Sequence, residues 1–181
     1  MRTRLTLVVV LVLLAAMGAA PAALAHDHEP PMPKLHAAGQ SEDPGFVEIQ
    51  WIWATGPNTC IQGNFIGTGT FGDRGRGITV PFGTSHAEIH VRDVVNPPVH
   101  VELYSWPKVD RRGAPAGERR DHAVTLSPRV VRGEVVGWAI EFTPHKRGKG
   151  YYQLFAVWPD AEGCGGEQFG IWRYRMDVAG P

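Results

Sequence analysis

The 181-residue chain reads as an all-β protein, an antiparallel sandwich of about eight or nine short strands. Three observations predict this. Apolar residues alternate with polar ones at a period of two in one segment after another, the spacing that gives a strand one buried and one solvated face. Glycine and proline clusters separate those segments, as turn residues do. Beyond the first 25 residues no stretch has the spacing of an amphipathic helix, so the crossovers that a parallel sheet requires are missing.

Met1 to Ala25 carries Arg2 and Arg4, then an apolar run from Leu5 to Ala16, then small residues ending Ala-Leu-Ala. That order is the pattern of a secretory signal peptide, and the apolar run is short for a membrane span. The expected organisation is a signal peptide over 1–25, a His- and Pro-rich arm over 26–45, and a β-sandwich domain over 46–181. The arm, HDHEPPMPKLHAAGQSEDP, shows no periodicity and reads as extended, flexible and solvated.

Strand patterns begin at Phe46. Val47, Ile49, Trp51 and Trp53 alternate with polar residues, and Thr59–Phe65 makes a second strand that holds Cys60. A glycine-rich loop, GTGTFGDRGRG, leads to a short strand at Ile78–Phe82. His86–Tyr104 reads as a hairpin of two alternating strands around Asn-Pro-Pro, with Ile89, Val91, Val101 and Leu103 on its inner face. Residues 108–121 are charged and hold Gly and Pro, the composition of a long exposed loop. Ala123–Leu126, Val135–Phe142, Tyr151–Trp158 and Phe169–Val178 complete the strands. The six tryptophans are expected between the sheets.

The chain has 18 Lys+Arg and 18 Asp+Glu. Removal of Arg2 and Arg4 with the signal leaves a slight acidic excess, which offers no electrostatic attraction for nucleic acid or an anionic membrane. The two cysteines, Cys60 and Cys164, are most simply one disulfide in an exported chain, closing a loop of about 105 residues. The chain-entropy model gives such a loop roughly 4–5 kcal/mol. A thiolate metal site is the sharper alternative, without a Cys-x-x-Cys to support it.

The segment Trp138–Trp158, WAIEFTPHKRGKGYYQLFAVW, has an apolar strand ending Phe-Thr-Pro, a basic turn, and Gly-Tyr-Tyr-x-Leu. It resembles the late hairpin of bacterial immunoglobulin-like sandwich domains. The resemblance covers about 20 residues and implies an immunoglobulin-like antiparallel sandwich in which Tyr151 or Tyr152 hydrogen-bonds backbone at the corner between sheets. It implies no activity.

Two places could carry chemistry. Cleavage after Ala25 would start the mature chain His26-Asp27-His28, and an amine followed by His at position three supplies four nitrogens in a square plane, a donor set for Cu(II) or Ni(II). His26 as first residue also resembles the histidine-brace copper proteins, lytic polysaccharide monooxygenases among them, whose N-terminal amine and imidazole hold copper with a second histidine from the sandwich. That geometry needs the N-terminus docked on the sheet, which a solvated arm does not provide.

The second place is the hairpin's outer face. Pairing Val91 with Val99 and Ile89 with Val101 would oppose His90 to His100, Glu88 to Glu102 and His86 to Tyr104, with Cβ atoms roughly 4.5–5.5 Å apart. Imidazole and carboxylate so gathered suit Zn(II) or Cu(II), and would equally make a pH-sensitive patch. The bland alternative is a solvated outer face. The motifs of serine hydrolases, P-loop proteins and zinc proteases are absent from the sequence. The basic stretches Arg111–Arg120 and His145–Lys149 could hold an acidic polymer.

The expectation is therefore a secreted sandwich that binds rather than catalyses. Copper or another divalent metal at His26, His28, His86, Glu88, His90 and His100 is its favoured ligand. A metal-free module recognising a protein or glycan is the alternative, and a brace-type copper oxidase the third.

Overall fold

A computed structural model describes residues 31–56, 59–66, 77–92, 94, 96–159, 164–166 and 168–181, with backbone alone for 46 and 53–56. The proposed signal peptide and His26–His28 lie outside them. The strands run β1 (Lys34–Ala37), β2 (Gln40–Glu42), β3 (Phe46–Gly56), β4 (Thr59–Ile66), β5 (Ile78–Val80), β6 (Ala87–Arg92) and β7 (His100–Trp106). They continue with β8 (Lys108–Val109), β9 (Pro115–Ala116), β10 (Arg120–His122), β11 (Val124–Val131), β12 (Glu134–Phe142), β13 (Gly148–Trp158) and β14 (Gln168–Val178). No helix occurs among the described residues, so none is long and apolar enough to cross a membrane.

Two sheets face each other. One has the order β11-β12-β6-β1-β2; the other runs β10-β7-β13-β14-β3-β4, with β5 parallel to β14. The remaining pairings are antiparallel, as the alternation predicts. Leu35, Ile89, Val91, Ile140 and Phe142 of the first sheet and Leu103, Tyr152, Leu154, Trp172, Tyr174 and Met176 of the second form one core. β11 closes one edge of its sheet, which accommodates Pro128 because an edge strand can forgo a ladder donor.

The sandwich reading holds, and several of its details change. The folded part begins before Phe46: β1 and β2 lie in the stretch read as a solvated arm. Leu35 is completely buried while Lys34 and His36 face outward, and Pro31 and Pro33 are buried as well. A four-residue strand is too short to register as a periodicity. Its turn is legible in the backbone, where Ala38 (φ 47°) and Gly39 (φ 76°) both take the positive φ of a two-residue type I′ hairpin. The charged stretch 108–121 contains three short strands, of which β10 joins the larger sheet.

The largest change concerns β6 and β7, which do not pair as a hairpin. β6 lies between β12 and β1, β7 between β10 and β13, in opposite sheets. Alternation specifies which face of a strand is buried but not which strand lies beside it. Ile89 and Leu103 are both buried in the core between the sheets, an outcome that crossing over satisfies as well as pairing. Tryptophan burial is also uneven. Trp158 and Trp172 are core and meet edge to face at 5.9 Å, Trp51 packs on them from the margin, and Trp106 and Trp138 are half-exposed.

Cys60 and Cys164 form the expected disulfide, with Cα atoms 5.6 Å apart, tying β4 to the connection between β13 and β14.

The burial of β1 sets a test. Leu35→Ala removes a fully buried side chain and is expected to cost roughly 2–5 kcal/mol in urea unfolding. A loss within about 0.5 kcal/mol, the usual range for a solvated surface position, would show that β1 is not part of the core.

Candidate functional site

The outward faces of the two sheets carry separate polar rows, and a third group sits at the corner where β12 crosses to β13. The first row follows from β6. Ala87, Ile89 and Val91 point inward with no exposure, so His86, Glu88, His90 and Arg92 point out. Glu88 accepts from both neighbours: His86 Nε2 lies 2.6 Å from Oε1, and His90 Nε2 bonds Oε2. These bonds, His90's first, hold the Glu88 carboxyl below its ordinary range. β1 adds His36, opposite Glu88 in the ladder, with its ring stacked on His90 at 4.1 Å between centroids. Burial, then the charges of His90, Arg92 and Arg129, lower the His36 pKa. His36 Nε2 and His90 Nδ1 are buried without a hydrogen-bond partner among the described residues. On the next strand Glu141 stands opposite Glu88 and accepts from Ser127 Oγ at 2.5 Å.

The second row lies on β7. His100 Nε2 is 3.1 Å from Glu102 Oε1, the Tyr104 hydroxyl donates to Glu102 Oε2, and the Arg119 guanidinium covers the Tyr104 ring at 4.3 Å. The Tyr104 bond, foremost, lowers Glu102 and raises Tyr104. His100 and Glu102 therefore share no patch with His86, Glu88 and His90. The joint site expected from a hairpin does not exist, because the chain changes sheets between its halves. His26 and His28 lie outside the described residues. Among the described residues no group of three or more His, Cys, Asp or Glu is arranged to hold a metal ion.

The third group was scarcely legible in the sequence. Tyr152 in β13 is fully buried, and its hydroxyl accepts the His145 backbone N–H at 3.0 Å. This is the tyrosine-to-backbone bond expected at the corner between sheets. Gly150 makes room for it, since a Cβ there would lie 2.5 Å from the Tyr152 ring and 2.8 Å from His145 Cδ2. Arg120 Nη1 donates to His145 Nδ1 at 3.2 Å. His145 must then carry its proton on Nε2, which is buried without an acceptor among the described residues. His122 donates from Nδ1 to the Thr143 carbonyl at 3.1 Å, leaving Nε2 to accept from Ser105 Oγ at 2.7 Å. Ser105 has no exposed surface, so this hydroxyl–imidazole pair cannot meet a substrate and is structural. Around His122 and His145 opens a cleft of about 420 Å³, also lined by Arg120, Asp121, Thr143, Pro144, Lys146 and Arg147.

The sequence flagged His145–Lys149 and Arg111–Arg120 as separate basic stretches; the fold brings the ends of both to one cleft. No pattern in the chain announced Ser105, His122 or the stacking of His36 on His90. Comparison with protein-family models, with curated proteins and with solved structures finds no match.

Burial pushes His145 down to about 4, helped by the charges of His122 and Arg120, and burial also lowers His122. In the unfolded chain these imidazoles take up protons near pH 6.5, whereas folded His145 resists until about 4. Their contribution to stability is thus intact above pH 6.5 and is lost as the pH falls toward 4, at up to about 1.4 kcal/mol per pH unit for His145. Urea unfolding at pH 7.5 and pH 5 is expected to show this loss, and His145→Gln to reduce it. Equal losses in the two proteins would overturn the assignment.

Proposed function

We propose that the chain is an exported, immunoglobulin-like β-sandwich that functions by binding, with a divalent metal ion, copper foremost, as its ligand. The observation that carries this reading is the docking of β1 beside β6. It sets His36 against Glu88 and His90, gathering three imidazoles and a carboxylate with His86, a set not arranged around a metal as it stands and so one that must turn to bind it. Imidazole and carboxylate are donors for Cu(II) and Zn(II). The side chains are at present bonded to one another, so a metal would displace the protons shared between Glu88 and its histidines.

The same docking bears on the N-terminal histidines. Lys34 stands opposite His90, and the chain is already buried at Pro31 and Pro33, with the Pro33 carbonyl accepting from the Tyr174 hydroxyl at 2.9 Å. The six residue-to-residue steps from His28 to Lys34 reach at most about 20 Å, so His28 is tethered within that distance of Lys34, the residue opposite His90. The chain is thus anchored to the sheet from Pro31 onward, which supports a docked rather than a free N-terminal segment. The disulfide agrees with an extracytoplasmic location. The buried serine of the Ser105–His122 pair favours binding over hydrolysis.

Recognition without a metal is the second reading, favoured by β4. Among the described residues this strand ends the larger sheet, with Ile61, Phe65 and Ile66 45%, 54% and 70% exposed, and an apolar edge can accept a strand from a partner.

Mass spectrometry of the secreted protein should give His26 as its first residue. Cu(II) titration should then show one ion per chain, with affinity reduced at least tenfold by His28→Ala and by His90→Ala. Unchanged stoichiometry and visible spectrum in both variants would overturn the metal reading in favour of the second.

A further inference from the structure

The corner cleft uses a different part of the molecule from the imidazole row and needs no metal. Its charge is one-sided. Arg120, Lys146 and Arg147 line it and make no ion pair among the described residues. Its one carboxylate, Asp121, is paired with Arg119 at 3.1 Å. Three cations brought to one concavity repel each other, and an anion between them relieves that repulsion.

The cations are also not alike. Lys146 and Arg147 extend from the exposed bend after His145, while Arg120 opens β10 and hydrogen-bonds the His145 Nδ1. That contact occupies Nη1 and orients the guanidinium, whose other N–H groups can fork onto two oxygens of one anion. His145 accepts from Arg120 because it is neutral, and it is itself held by Tyr152 through its backbone N–H. The arginine is thereby positioned by the core. The His145 ring behind it is itself packed into the core, with the residue 8% exposed.

From this we propose that the cleft formed by Arg120, His122, His145, Lys146 and Arg147 binds a tetrahedral oxyanion, a sulfate or phosphate, carried as an ester on a larger molecule. The cleft's volume of about 420 Å³ is in the range of small-molecule sites, more than a free ion fills, and its open side admits the carrier. Arg120 supplies the paired hydrogen bonds; Lys146 and Arg147 supply mobile charge at the rim.

The test uses the full secreted chain. Binding to dextran sulfate, with uncharged dextran as control, is measured at physiological salt for the wild type, Arg120→Gln, the double variant Lys146→Ala/Arg147→Ala, and the double variant Arg111→Ala/Arg112→Ala on the neighbouring loop. Titrations with inorganic sulfate and phosphate run beside it. The expected result is a loss of at least tenfold for Arg120→Gln and for Lys146→Ala/Arg147→Ala, with the loop variant within about twofold of wild type. Arg120, Lys146 and Arg147 are exposed, so these variants should fold, which circular dichroism verifies. Competition by inorganic anion at millimolar concentration or below would show that the free ion is itself a ligand and overturn the need for a carrier. Equal losses in the loop variant would show general attraction to a basic surface, and absence of dextran sulfate binding would refute the site; either overturns the proposal.

Discussion

Two faces of alternating residues have to bury each other, and most of this molecule follows from that constraint. β6 contributes Ile89 and Val91, β7 contributes Leu103, and they lie in different sheets around the same core. The connection between them must therefore cross the gap between sheets, roughly 10 Å wide, which a seven-residue stretch holding two prolines can span without regular structure. A second crossing joins β12 to β13 and is fastened by Tyr152. The buried hydroxyl bonds the His145 backbone, so the bend is attached to the core instead of projecting into solvent. Ring contacts of Tyr152 with Phe142, His122 and His145, at 5.4 Å in each case, attach it to both sheets.

The same constraint explains how far the fold could be read from the chain. Strand identity and inward face were legible wherever alternation ran for five or more residues, as in β3, β6, β12, β13 and β14. Neighbour relationships were not. The pairing of His90 with His100 rested on proximity in sequence, and nothing in a period of two distinguishes an adjacent strand from one across the core. β1 was missed for a different reason: four residues give one and a half periods, and the flanking prolines and charges matched the composition of a solvated linker. Its burial depends on tertiary partners, chiefly β6 and the Tyr174 hydroxyl, that no local window contains.

Site residues were legible in proportion to their local signal. Glu88 and its two histidines belong to one strand, so their common face could be inferred from spacing alone. The corner group draws Ser105 from β7, Arg120 and His122 from β10, His145 from the crossing and Tyr152 from β13. Four separate segments contribute, and only the positive charge of two of them was visible beforehand. Two tertiary features were anticipated: the Cys60–Cys164 disulfide, because the chain holds only those two cysteines, and the bond from Tyr151 or Tyr152 to backbone, because a turn and a following Gly-Tyr-Tyr define it locally.

The protonation states at the two imidazole groups follow from burial more than from charge. At the corner, desolvation lowers His145 and His122, and the neighbouring arginine acts in the same direction. Neutral His145 is what allows Arg120 to donate to Nδ1; a protonated ring would present a hydrogen there and repel the guanidinium. On the outer sheet face His36 is also lowered by burial first, while Glu88 supplies the opposite influence, and the ring stacked on it is His90. With its pKa lowered, His36 is uncharged at neutral pH, and Glu88 remains a carboxylate between His86 and His90. Each group therefore keeps uncharged imidazole at its centre, His36 in one and His122 with His145 in the other, supported on one side by the core and bordered on the other by charged residues. Such an imidazole can accept a hydrogen bond or ligate a metal without first losing a proton, which is the chemical property the two groups share.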